Sequence, residues 1–273
     1  MNKINVTLLG DKEPLLIAIK FLKKKIHIAN IICSNNNVVE NYCKKNNINF
    51  LNIKKFQKME TTNKFLLYNS DFAMSFSYPL RLSLNTIRYF NNRIYNFHPA
   101  DLPKYRGNLP TVWPILNGDK HAYYTLHKVT KNFDQGPIID KIRIKIYHND
   151  TGISLYKKLL EKLPTILSKN LQSLILNKMS YKKQNEKKAK FYSKNLPNKG
   201  FVSHHWKGKY IENFVRALFS DIHTPAQAIV DKKIIKLYKV KYLKNRITKT
   251  SSKNIMFKCN DGYIKVIKYD KKK

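Results

Sequence analysis

The chain has 273 residues, with 53 Lys and Arg against 17 Asp and Glu and a formal net charge of +36. With 42% hydrophobic and 12% aromatic residues it can bury an ordinary core, which excludes wholesale disorder. No apolar run reaches the roughly 18 residues of a membrane-spanning helix, and no small-residue cleavage site follows the apolar stretch at the amino terminus. Cys33, Cys43 and Cys259 match neither a zinc site nor a disulfide framework. The expectation is a soluble, cytoplasmic protein with no structural metal and no membrane partner.

In chain order, Ile4–Leu9 reads as a buried strand, Leu15–Leu22 as a helix, and Ile26–Cys33 as a second strand. Val38–Lys45 is a short helix, Ile48–Ile53 a strand, and the region from Phe56 to Leu67 a helix. Phe72–Phe76 and Ile94–Phe97 are two more strands, with a helix over Leu82–Tyr89 between them. This alternation predicts an α/β fold, a Rossmann-like and mostly parallel sheet with helices on both faces. A single Gly10 follows the first strand, so the glycine fingerprint of dinucleotide enzymes is absent. Further on come a short helix over Thr111–Asn117 and strands over Ala122–Val129 and Pro137–Ile146. A long helix begins at Asp150-Thr151 and runs to about Leu174, with either residue as its cap and Pro164 expected to kink or split it.

Composition divides the chain into a domain over 1–177, a basic linker over 178–200, and a small β-rich module over 201–273. The last part shows a helix near Tyr210–Leu218 and strands at Ala228–Val230, Ile234–Tyr238, Ile255–Cys259 and Tyr263–Ile267. Asn260-Asp261-Gly262 is the hairpin signal between the last two. Residues 201–273 carry 18 basic and 5 acidic residues, about twice the charge density of 1–174. Of the 53 cations 46 are Lys, which reads as codon bias on a solvated surface more than as phosphate recognition, where Arg dominates.

Chemistry concentrates at Asn96-Phe97-His98-Pro99, just past a strand, where parallel sheets place their sites. Asn96 and His98 are two apart in extended chain and share a face. One can donate an amide N–H to a developing oxyanion while the other handles a proton. Trp113 and His127 read as packed residues of a helix and a strand.

Asn96-Phe97-His98-Pro99-Ala100-Asp101-Leu102-Pro103-Lys104-Tyr105-Arg106-Gly107 resembles the signature loop of the folate-dependent formyltransferases. The similarity continues through Pro110, Trp113, Asn117-Gly118-Asp119, Thr125-Leu126-His127 and Asp134-Gln135-Gly136-Pro137. The resemblance implies a catalytic set of Asn96, His98 and Asp134 and a donor, 10-formyltetrahydrofolate, lined by Ser77, Tyr78, Pro79 and Leu80. Lys104, Tyr105 and Arg106 are the acceptor-binding candidates, with Lys104 and Arg106 either meeting an acceptor phosphate or standing as solvated loop charges, and no metal is required. His98 would take the proton of the attacking amine, and Asp134 would either orient His98 or relay the proton through water.

The acceptor follows from departures within the family. Cys33-Ser34-Asn35-Asn36-Asn37 leads straight into the next helix without the basic insertion of methionyl-tRNA enzymes, and Pro99-Ala100-Asp101 departs from their His-x-Ser-Leu-Leu-Pro loop. The resemblance therefore implies a small-molecule amine, that of a nucleotide-linked amino sugar. A methionyl-tRNA formyltransferase is the alternative, favoured by the basic tail. A non-catalytic, basic RNA-binding protein on the same scaffold is the second.

Overall fold

The computed structural model describes residues 4–271 except 36–37, 63, 66, 68, 220–223 and 247–254. Part of the loop read for a missing insertion, Asn36-Asn37, thus lies outside the described residues.

Strands β1 (Asn5–Gly10), β2 (His27–Cys33), β3 (Leu51–Asn52), β4 (Phe72–Phe76) and β5 (Ile94–His98) run parallel. They alternate with α1 (Lys12–Leu22), α2 (Val38–Lys45), α3 (Ile53–Thr62) and α4 (Leu84–Tyr89). After them come β6 (Arg106–Gly107), α5 (Val112–Leu116), β7 (His121–Lys128) and β8 (Ile138–Lys145). The seven-stranded sheet has the order β3-β2-β1-β4-β5-β7-β8, with β7 antiparallel to β5. Because both faces are covered, the central strands are near-continuous apolar runs: Val6, Leu8 and Leu9 in β1 and all of Phe72–Met74 in β4 are fully buried. On α1, Leu15, Ala18, Ile19 and Leu22 recur at helical spacing and are buried, each large aliphatic contributing about 1.5–3 kcal/mol.

Two elements differ from expectation. The Ile48–Ile53 run yields only a two-residue edge strand, and Ile53 is buried from the first turn of α3 instead. Helix α6 (Gly152–Leu176) is assigned continuously through Pro164. Leu159, Leu163, Ile166 and Leu167 are fully buried around that proline, and their packing offsets the roughly 3 kcal/mol such a residue costs inside a helix. The cap is Thr151, whose Oγ1 accepts from Ser154 N–H at 3.2 Å while Ser154 Oγ accepts from Thr151 N–H at 2.9 Å.

The chain forms two compact units: 1–106, 123–143 and 159–191 in one, and 107–122, 144–158 and 192–273 in the other. They interleave along the chain rather than following the contiguous division at 177 and 200. The first contains most of the seven-stranded sheet. The second contains α7 (Gly208–Leu218) and an antiparallel sheet; ahead of them, β9 (Phe191–Tyr192) pairs with β6. The antiparallel strands are β10 (Ala226–Val230), β11 (Lys233–Leu243), β12 (Met256–Cys259) and β13 (Gly262–Lys271), in the order β10-β11-β13-β12. Ile211, Phe214, Val215 and Leu218 of α7 are buried, as are Ile235, Leu237 and Ile264 of the sheet. Asp261 of the β12–β13 turn accepts from the Gly208 N–H at 2.7 Å, at the start of α7.

Candidate active site

Strands β5 and β7 build the site. In their antiparallel register Asn96 lies opposite His127 and His98 opposite Thr125, so these four residues project to one face. Asp134 enters from the turn after β7, with φ of +54°, in the left-handed region that Asp tolerates. Gly136 lets this turn close: a Cβ there would lie 1.7 Å from the Lys128 carbonyl oxygen.

Hydrogen bonds define the protonation pattern. His98 Nε2 lies 3.1 Å from the Tyr105 carbonyl oxygen. A carbonyl only accepts, so Nε2 carries the proton and Nδ1 of the neutral ring keeps a lone pair. That Nδ1 sits 3.7 Å from Asp134 Oδ1. In the same way His127 Nδ1 donates to the Lys128 carbonyl at 2.9 Å, which leaves Nε2 to accept from Asn96 Nδ2 at 3.1 Å. His127 Nε2 is 3.6 Å from Asp134 Oδ1. One carboxylate therefore faces the unprotonated nitrogens of two imidazoles, and His98, His127 and Asp134 are all buried. Such a cluster can take up one proton and hold the resulting cation beside a fixed negative charge.

The three catalytic candidates are thus brought together. His127, read from sequence as packing, joins Asn96 to Asp134; its signal was the alternation Thr125-Leu126-His127 on a strand paired with Asn96-Phe97-His98. The donor-lining candidates leave β4, whose Ser75 pairs with Asn96: Ser77 and Pro79 are exposed, and Tyr78 and Leu80 are half-buried. Tyr78 packs against the cluster of Leu9, Phe56, Ile87 and Phe90.

The acceptor candidates fare differently. Tyr105 is buried, and its contribution to the site is its backbone carbonyl. Arg106 does not offer its guanidinium to an acceptor. Its side chain is 4% exposed and donates to Glu186 Oε1 and Oε2 at 2.7 and 2.8 Å and to Gln184 Oε1 at 2.9 and 3.1 Å. Lys104, half-buried, lies 5.0 Å over the Tyr105 ring. Trp113 is buried, with its ring centroid 4.5 Å from that of Tyr192. Burial pushes the Cys33 thiol up to about 12 and the Cys43 thiol to about 11, so neither is a nucleophile at neutral pH. A cleft of about 610 Å³ lined by Ile4, Lys23–Lys25 and His27 lies at the amino ends of β1 and β2, the opposite strand ends from His98.

The model of the family described as "Formyl transferase" matches residues 22–171, more than half of the chain. The chain belongs to the formyl transferase family. Among curated relatives it is similar to the bifunctional polymyxin resistance protein ArnA of Wigglesworthia glossinidia brevipalpis, 34% identical over 60% of this chain and 25% of that one. It is also similar to the GDP-perosamine N-formyltransferase of Brucella melitensis biotype 1, 27% identical over 61% of this chain and 64% of that one. The matches thus span less than two thirds of either relative's length. The N-formyltransferase of Helicobacter canadensis, solved with folinic acid and dTDP-3-aminofucose, shares the fold with a TM-score of 0.76 at 19% identity. That match covers 98% of this chain and 100% of that one. Asn96, His98, His127 and Asp134 fall inside the family match, whereas Gln184 and Glu186 lie beyond it.

Proposed function

We propose that the chain transfers a formyl group from 10-formyltetrahydrofolate to the primary amine of a nucleotide-linked amino sugar. The observation that carries the reading is the buried cluster of Asn96, His98, His127 and Asp134, whose hydrogen bonds leave His98 Nδ1 unprotonated beside a carboxylate.

The donor supplies the formyl carbon when bound. One Nδ2 hydrogen of Asn96 goes to His127, and the other is available to the formyl oxygen as negative charge gathers there. His98 Nδ1 takes the proton released as the amine nitrogen bonds to the formyl carbon. Asp134 then stabilises the imidazolium across the 3.7 Å gap, and the proton on His98 is available to the departing nitrogen. Among the two roles open to Asp134, the direct approach to both imidazoles supports orientation and charge stabilisation.

Ser77, Tyr78, Pro79 and Leu80 would hold the donor. The Tyr78 hydroxyl is buried without a hydrogen-bond partner among the described residues, and burial pushes its phenol well above the ordinary range, with Glu60 adding to the effect. A donor or acceptor on a bound ring system would meet that hydroxyl, so the residues present suit the ligand. Lys104, with part of its surface open, is our assignment for an acceptor phosphate. The three buried free cysteines are in keeping with a reducing, cytoplasmic setting.

The names of the relatives support the sugar acceptor, one acting on GDP-perosamine and another solved with dTDP-3-aminofucose. The charge of residues 175–273, 26 basic against 6 acidic, supports the competing methionyl-tRNA acceptor. The deciding experiment offers both acceptors side by side with 10-formyltetrahydrofolate at physiological salt. We expect faster formylation of a nucleotide-linked 3- or 4-amino-deoxysugar; efficient formylation of methionyl-tRNA with no reaction of any amino sugar would replace the reading.

A further inference from the structure

Residues 178–190 read as a solvated, Lys-rich linker, and all but one of them are exposed or half-buried. The exception is Gln184, 5% exposed. Its Nε2 donates to the carbonyl oxygens of Asp134 and Gly136, each at 2.7 Å, and so uses both amide hydrogens on the turn that carries Asp134. Its Oε1 accepts twice from Arg106. Those two donors settle the orientation of the amide, since a flip would set NH₂ against a guanidinium and oxygen against two carbonyls. Arg106 is held in turn by two hydrogen bonds to Glu186. Beside Gln184, Lys182 exchanges two backbone hydrogen bonds of 2.8 Å with Ile138, directly after the turn.

We propose that Gln184, oriented by Arg106, is a positioning residue that sets the Asp134 carboxylate against His98 and His127. The proposal rests on the reading of Asp134 as the partner of His98. The turn is closed by the Lys128 N–H on the Pro137 carbonyl at 3.0 Å and carries side-chain bonds among Thr130, Asn132 and Gln135. Gln184 adds two hydrogen bonds to the backbone on either side of Gln135, from a segment about 50 residues on. The same Arg106 follows Tyr105, whose carbonyl fixes the His98 tautomer. Arg106 thus links the two: its side chain holds Gln184, and it directly follows the carbonyl that meets the base.

The test compares the wild-type full chain with Gln184→Ala and Gln184→Glu. The second variant preserves size and the attraction to Arg106 but has no N–H for the two turn carbonyls. Ring NMR of His98 and His127 at one fixed pH needs no substrate and reports what each ring nitrogen faces. Among the described residues Asp134 and Asn96 face these rings, which also meet each other edge-on with centroids 6.3 Å apart, and the Tyr105 and Lys128 carbonyls lie on their far nitrogens. A displaced Asp134 changes what each ring nitrogen faces, so we expect the His98 and His127 ring resonances to move from their wild-type positions in both variants. Where formyl transfer is measured, kcat should drop about 10–100-fold with KM altered less than about threefold. Folded variants with wild-type ring resonances would overturn the proposal, and so would failure of both to fold, which would make Gln184 a stability residue. If the wild type formylates no amine, the functional reading fails while the ring resonances still decide the role of Gln184.

Discussion

Buried polar groups serve different ends in the two units. In the unit with most of the parallel sheet, His98, Arg106, His127, Asp134 and Gln184 form one connected set, and in the neutral state His98 Nδ1 is left facing a carboxylate without a proton between them. In the other unit Asp150 accepts from the Tyr147 N–H, Ser154 Oγ and Lys158, while Arg216 donates to Asn213 and to the Asp150 carbonyl. That second network ties the start of α6 to the last turns of α7. A buried network that satisfies itself holds structure, whereas one that leaves a lone pair beside a charge can do chemistry.

The strongest way to break this comparison is to delete from each network. His98→Ala should lower formyl transfer by about 10²–10⁴-fold, and Asn96→Ala by about 10²–10³-fold. Thermal midpoints should stay within about 4 °C of wild type in both. Near wild-type turnover of His98→Ala would remove the first network from catalysis.

Glycines sharpen the contrast. Gly136→Ala sets a Cβ 1.7 Å from the Lys128 carbonyl oxygen, and Gly152→Ala one 2.2 Å from that of Ala217. Each should destabilise by about 1–3 kcal/mol in urea unfolding. Only Gly136→Ala should also lower the turnover of the protein that remains folded, because it moves the Asp134 turn. Equal turnover losses would mean that the two units are not chemically distinct.

Asp150 tests the structural network by pH. Burial opposes its ionisation, but bonds from Lys158, the Tyr147 N–H and Ser154 outweigh that, so its carboxyl lies below the ordinary range. A group depressed in the folded state contributes stability above its unfolded value of about 3.9 and loses it as pH falls through the lower folded one. Urea midpoints of wild type and Asp150→Asn should therefore differ by a constant amount above about pH 5 and converge as pH falls through the lowered folded value. A gap that persists at the lowest pH would assign the effect to packing.

The smallest effect belongs to the exposed lysines of the antiparallel sheet. Replacing Lys239, Lys241, Lys258 and Lys268 with Gln should change stability by no more than about 0.5 kcal/mol each. Retention of generic RNA at low salt should weaken, and at about 200 mM salt both proteins should bind little. RNA binding that survives this salt and depends on these lysines would restore the RNA-binding reading.

Much of the scaffold was legible in one dimension. β4 falls at Phe72–Phe76 and α2 at Val38–Lys45, where the sequence placed them, because uninterrupted or helically spaced apolar residues leave few ways to be buried. The β12–β13 turn was likewise legible from Asn260-Asp261-Gly262. Asn96 and His98 could be paired because a period of two is a local property of extended chain. Other assignments could not be made locally. His127 looked like packing because its partner stands 31 residues away, and the two meet only through strand register. Arg106 looked like an acceptor cation because its acceptors lie 78 and 80 residues on, in a stretch whose composition marks a linker. By itself the sequence determined the alternation of elements and the strand end that carries the candidate site, since these depend on apolar period and turn residues. Only the tertiary structure decided which polar side chains are buried together and which nitrogen of each histidine keeps its lone pair, because both depend on carbonyls and carboxylates brought in from distant segments.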